Sequence, residues 1–168
     1  MLPATMTPRK ILPWFAAVLG LLLLSACNYD APLTAQPTHP IDPRLLGEWV
    51  TQDGDKIEHL LVRRLDDADY VLVSDGDVYR AFHSDFAGQP FVSVQNLQPG
   101  SDDRKYAYVT WRLSPDNGQL VLRCVSNKVI PEQATDTAGM QRLIKQKIAD
   151  PALLGEELTY HRPAAGGH

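Results

Sequence analysis

From Leu45 to Tyr160 the chain is a succession of short β-favouring runs cut by turn pairs, Asp53-Gly54, Asp75-Gly76, Pro99-Gly100 and Asn117-Gly118. Residues of these types supply the positive φ angles and local hydrogen bonds of tight turns, so the region reads as antiparallel strands joined by hairpins. Strands are predicted near Gly47–Thr51, Lys56–Leu65, Tyr70–Ser74, Val78–Ser84, Phe91–Gln95, Lys105–Leu113 and Gln119–Val125. A last strand, "EELTY", ends at Tyr160 or His161. Seven or eight antiparallel strands in one domain satisfy their edges by closing into a small barrel; an open β-sandwich fits the same alternation.

Alternation separates the faces of each strand. In "KYAYVTWRL" Ala107, Val109, Trp111 and Leu113 share one side, predicted to be core, and Tyr106, Tyr108, Thr110 and Arg112 share the other, predicted to be wet. Leu120, Leu122 and Cys124 form the apolar side of the next strand, which reads Cys124 as a small buried hydrophobe. In "FVSVQNL" the valines, Val92 and Val94, are the packing residues. One helix stands out in "TDTAGMQRLIKQKIADP", with Asp136 or Thr137 as cap, a stripe of Met140, Leu143, Ile144 and Ile148, and Asp150-Pro151 as stop. It is predicted to lie across an opening or edge of the sheet.

The start of the chain obeys different rules. Arg9 and Lys10 precede an uncharged run, Ile11 to Ala26, in the layout of a bacterial export signal. Sixteen residues reach only about 24 Å as a helix, short of the roughly 30 Å hydrocarbon core of a bilayer. "LSAC", Leu24 to Cys27, resembles the lipobox of bacterial lipoproteins. The resemblance implies cleavage before Cys27, a diacylglyceryl group on its thiol and an acylated amine, which together anchor the chain where one acyl chain is marginal. By the family's enteric sorting rule Asn28 rather than Asp after the Cys favours the outer membrane, facing the periplasm; the inner membrane is the alternative.

Loss of residues 1–26 leaves 14 Lys plus Arg against 20 Asp plus Glu. An acidic domain without a basic block is not expected to bind nucleic acid or to be drawn to an anionic bilayer, so membrane attachment falls to the lipid. With Cys27 lipidated, no intramolecular disulfide is expected, and the domain depends on its core. "NYDAPLTAQPTHPIDP", Asn28 to Pro43, holds four prolines and reads as a spacer without regular structure. The organisation is thus a leader over 1–26, a lipidated flexible tether over 27–44, a β domain over 45–162 and a loose tail over 163–168.

"DPRLLGEWV", Asp42 to Val50, resembles the opening of small lipocalin-like domains, in which a Gly-x-Trp pattern, here Gly47 and Trp49, begins the first strand. The resemblance implies a lipocalin-like barrel in which the glycine eases a crowded strand start and the Trp closes the narrow end. Two departures stand beside it. There are no paired cysteines, and the arginine with which the family can cap the Trp from the last strand has no clear match, Arg162 being the conceivable one.

Chemistry-bearing patterns are sparse. The sequence contains no Gly-rich phosphate loop, Gly-x-Ser-x-Gly elbow or His-Glu-x-x-His, and no cofactor, metal site or catalytic residue is expected. Adjacent on a strand, Glu58 and His59 point to opposite faces, whereas His83 and Asp85 share parity and form the best polar pair. "DGD" at 53–55 and 75–77 and "DDAD" at 66–69 read as acidic turns rather than calcium loops. Tyr106, Tyr108 and Arg112 are the candidate ligand or partner surface. The function expected is an anchored envelope lipoprotein binding a small apolar molecule or, alternatively, an envelope protein, and not an enzyme.

Overall fold

The computed structural model of the chain describes residues 29–53, 56–98, 105–131 and 136–163. The leader, the lipobox with Cys27, the Pro99-Gly100 turn and residues 164–168 of the tail lie outside them. Eight strands are present among the described residues: β1 Gly47–Asp53, β2 Lys56–Arg64, β3 Asp69–Ser74, β4 Asp77–His83, β5 Phe91–Asn96, β6 Tyr106–Leu113, β7 Gln119–Cys124 and β8 Leu158–His161. A short 3-10 turn, Pro43–Leu45, precedes β1, and a helix, α1, spans Thr137–Lys147 between β7 and β8. Each strand pairs antiparallel with the next, and β8 returns to β1 through Val50 and His161. The sheet is therefore a closed barrel of lipocalin-like build, not an open sandwich, and closure leaves no unpaired edge.

The turns follow from their residues. Asp75 and Gly76, at φ 50° and 90°, form the two-residue link between Ser74 and Asp77, the left-handed pair that matches strand twist. A second such turn, at Ala87 (φ 51°) and Gly88 (φ 77°), joins the bridged residues Phe86 and Gln89 beyond β4 and β5. No turn dipeptide marks it in the sequence. The "DDAD" stretch folds on itself as expected, with the Asp66 carboxylate accepting the N–H groups of Ala68 and Asp69 at 2.8 and 2.9 Å.

Inside the barrel the predicted alternation holds, except that Ala107 of β6 packs in the outer cluster described below. Trp49, Val62, Tyr70, Ala81, Val92 and Leu120 are fully buried, and Val109 and Trp111 join them from β6. Leu122 and Cys124 pack against this core while half-buried.

Outside the barrel lies a second core, which alternation did not foresee. Met140 and Ile144 of α1 meet Tyr29, Leu33, Phe91 and Tyr108, all at most 1 % exposed. The helix is capped by Asp136, whose carboxylate accepts the Gly139 N–H at 2.6 Å, and it covers this outer cluster rather than an opening of the barrel. Tyr108 is consequently not on a wet face. Residues of a strand covered on both sides are apolar on both sides, and the period-2 signal then loses its meaning.

The chain from Tyr29 to Pro43 is not a free spacer but a strap along the outside of the barrel. Tyr29 exchanges two 2.8 Å backbone hydrogen bonds with Tyr106, stacks on Tyr108 at 4.6 Å, and donates its hydroxyl to the Ile130 carbonyl. Leu33 N–H donates to Ser93 Oγ, Thr38 N–H to the His83 carbonyl and Ile41 N–H to the Asp67 carbonyl. Thr137 and Gln141 of α1 donate to the carbonyls of Pro32 and Leu33. The prolines do keep this stretch out of helix and strand, but they also limit its freedom when undocked, which lowers the entropy lost on docking.

Candidate functional site

One end of the barrel is closed by the 3-10 turn and Trp49. The indole N–H donates to the Leu45 carbonyl at 2.8 Å, and the ring is fully buried. Arg162, just past β8, lies over that ring, 3.7 Å from its centroid, and donates to the carbonyls of Leu46 and Arg44 at 2.9 and 2.6 Å. A Cβ on Gly47 would stand 2.6 Å from the Arg162 guanidinium, and its φ of 118° is in any case open mainly to glycine.

Beside this plug, between the strap and the ends of β4 and β6, is a recess of about 320 Å³. Its walls are His39, Asp42 and Arg44 of the strap and turn, with His83, Trp111 and Leu113 of the barrel. Tyr70, His83 and Trp111 meet edge to face at centroid distances of 5.1 to 5.6 Å, and His39 stacks on His83 at 3.7 Å. Behind the histidine, the Tyr70 hydroxyl accepts the Asp42 N–H and lies 2.9 Å from His83 Nε2. The phenol and Nε2 share one hydrogen bond, with Tyr70 the donor when the neutral His83 ring carries its proton on Nδ1.

The electrostatics keep His83 neutral. Burial, reinforced by His39, pulls the His83 pKa down from 6.5 to about 4, against the opposing pull of Asp85 and Asp42. Burial pushes Tyr70 up to about 12. At neutral pH the recess therefore presents an uncharged imidazole and an undissociated phenol. Asp42 is held below the usual carboxylate range, chiefly by the hydrogen bond from Arg44.

The sequence pair His83 and Asp85 does fall in one place, and the structure adds a third member from the strap: His39 Nε2 is 3.3 Å from Asp85 Oδ2. His39 carried no signal of its own, being one histidine between Thr38 and Pro40 in a proline-rich stretch. Glu58 and His59 diverge: Glu58 is buried and paired with Lys56 at 2.9 Å, while exposed His59 contacts Glu48 at 2.9 Å. Asp69 is occupied by a two-pronged Arg80 contact at 3.0 Å.

Tyr106, Tyr108 and Arg112 do not form one surface. Tyr108 is buried under Tyr29, Tyr106 is half-buried with its backbone bonded to the strap, and Arg112 alone is exposed. The strap took the face that alternation reserved for solvent. Chemically the recess offers stacking faces, two imidazoles and the Asp42 carboxylate, a set suited to holding a small group or an ion.

Among the described residues no helix is long and apolar enough to cross a membrane. Compared with protein-family models, with curated proteins and with solved structures, the chain matches none.

Proposed function

We propose that the protein is a lipid-anchored envelope lipoprotein, held through Cys27 on the periplasmic side of the outer membrane, whose barrel binds one small molecule with an apolar or aromatic body. The observation that carries the binding reading is the recess walled by His39, His83, Trp111 and Leu113. Side chains fill the barrel core around Trp49, Tyr70 and Leu120, so the recess is the place for a ligand, and its size suits a compact one rather than a long acyl chain. The anchoring reading rests on the "LSAC" stretch.

The docked strap changes what such an anchor does. Only Asn28 separates Cys27 from Tyr29, a reach of at most about 7 Å, so an acylated Cys27 holds the barrel against the bilayer instead of on a long stalk. The filled core favours a second reading, in which an envelope protein is the partner and no small ligand is carried.

Native mass spectrometry of the full-length protein, released gently from its own membrane in mild detergent, tests all of this. The expected species begins at Cys27, carries acyl groups and loses a further small mass on activation. An acylated chain without that mass selects the protein partner, and retention of residues 1–26 overturns the anchor.

A further inference from the structure

We propose that His39, His83 and Asp85 form a binding site for a divalent first-row transition-metal ion, with Zn²⁺ the ion their chemistry fits. Each of the three offers one ligand atom, and all of these atoms lie within 4.8 Å of one another. Zinc bonds of about 2.1 Å in a tetrahedron set neighbouring ligand atoms roughly 3.4 Å apart. The His39 and Asp85 pair already stands at 3.3 Å. For His83 to reach the same ion its stack with the His39 ring must open, a turn that the exposed His39 side chain can make.

The positions are built rather than accidental. Thr38 donates its N–H to the His83 carbonyl at 2.9 Å, and its hydroxyl accepts the Asp85 N–H at 3.0 Å, so the residue before His39 is tied to both other ligand residues. His39 Nδ1 lies 3.1 Å from the Pro40 carbonyl. Its Nε2 faces the Asp85 carboxylate at 3.3 Å, so both ligand atoms already point into one space.

At His83 the second nitrogen is held by Tyr70. With Nε2 bonded to the Tyr70 hydroxyl, Nδ1 is the ring nitrogen left to take the ion. Ligand histidines are commonly oriented through their other nitrogen in this way. Two imidazoles and one carboxylate leave a fourth position for water or for a group from the recess, the pattern of an open zinc site. Oxygen-seeking Mg²⁺ and Ca²⁺ have no reason to choose this set.

The site is tested on the full-length protein in detergent after chelator treatment, with Co²⁺ as a coloured probe and Zn²⁺ as competitor. One equivalent of Co²⁺ should produce the visible absorption of a four-coordinate complex, and Zn²⁺ should abolish it while excess Mg²⁺ does not. His39→Ala and Asp85→Asn, side chains each 43 % exposed, should each weaken uptake at least about tenfold while leaving the metal-free melting temperature unchanged. His83 packs against Tyr70 and Trp111, so its replacement would test folding as well as binding, and the two exposed ligands carry the test. Absence of saturable uptake overturns the proposal. So does undiminished uptake in both variants, which would place the ion on other histidines, such as His59 beside Glu48.

Discussion

The guanidinium of Arg162 sits 3.7 Å over the Trp49 ring and hydrogen-bonds two carbonyls of the turn that leads into β1, so the end of the barrel is fastened to its beginning. A cation over a desolvated Trp contributes about 2 kcal/mol, and bonds from a charged donor add to it. Arg162→Ala should therefore cost about 2–4 kcal/mol in urea unfolding, and Arg162→Lys should recover little, because an ammonium cannot reproduce the fork. Gly47→Ala should cost about 2 kcal/mol from its backbone angle and its collision with Arg162. Combined, the two changes should cost less than their sum, since removal of Arg162 removes the collision; strict additivity would show that they do not share a site.

The strap gives a different expectation from a tether. Tyr29→Ala removes a buried aromatic ring stacked on Tyr108, and should lower stability by about 3 kcal/mol. Limited proteolysis should then cut between Asp30 and Asp42 at a protease level that leaves the parent chain intact. An unchanged melt and an unchanged digest would mean that this stretch does not depend on Tyr29 for its place.

How much of this was readable follows from how far each signal reaches along the chain. The β6–β7 hairpin was legible because "SPDNGQ" makes its own turn, with Ser114 N–H bonded to the Gln119 carbonyl and Asn117 at φ 58°. The inner core was legible because alternation is a property of neighbours. Tyr108 was not, since its burial depends on Tyr29 and Ile144, far away in the sequence. His39 was invisible for the same reason: only the docking of the strap brings it to His83 and Asp85. The resemblance carried by Gly47 and Trp49 pointed to a barrel, and Arg162, without a clear position in the sequence, supplies the cap in space.

The Ala87-Gly88 turn has a residue to spare for improvement. Ala87 is exposed at φ 51°, a left-handed conformation that costs a residue with a Cβ roughly 1 kcal/mol, and Asn tolerates it better. Ala87→Asn recreates the Asn-Gly pair preferred in such turns and should stabilise the protein by about 0.5–1 kcal/mol, raising the melting temperature by about 2–4 °C. A lower melting temperature would show that the methyl group of Ala87 serves a contact.

The barrel should also fail in alkali before simple lysine chemistry would require it, because its tyrosines are buried. Of six tyrosines, Tyr70 and Tyr79 are pushed by burial from 10.0 to about 12, and burial raises Tyr108 and Tyr160 further. Between pH 10 and 12 the unfolded chain has released these phenolic protons while the folded chain keeps them, so the unfolded state binds fewer protons and stability falls as pH rises. The contribution is complete below pH 10 and is lost on the way to about 12, on the order of 2 kcal/mol for each of Tyr70 and Tyr79. Phenolate absorbance should accordingly rise in two stages, the second coinciding with loss of the near-ultraviolet circular dichroism of the folded state. Tyr79→Phe, which gives up only a 3.3 Å contact with Asp77, should move that second stage to higher pH. If all the tyrosines ionise in one simple curve centred near 10 while the dichroism persists, the phenols inside the barrel reach water without unfolding, and the interior is looser than the burial of Tyr70, Tyr79 and Tyr160 requires.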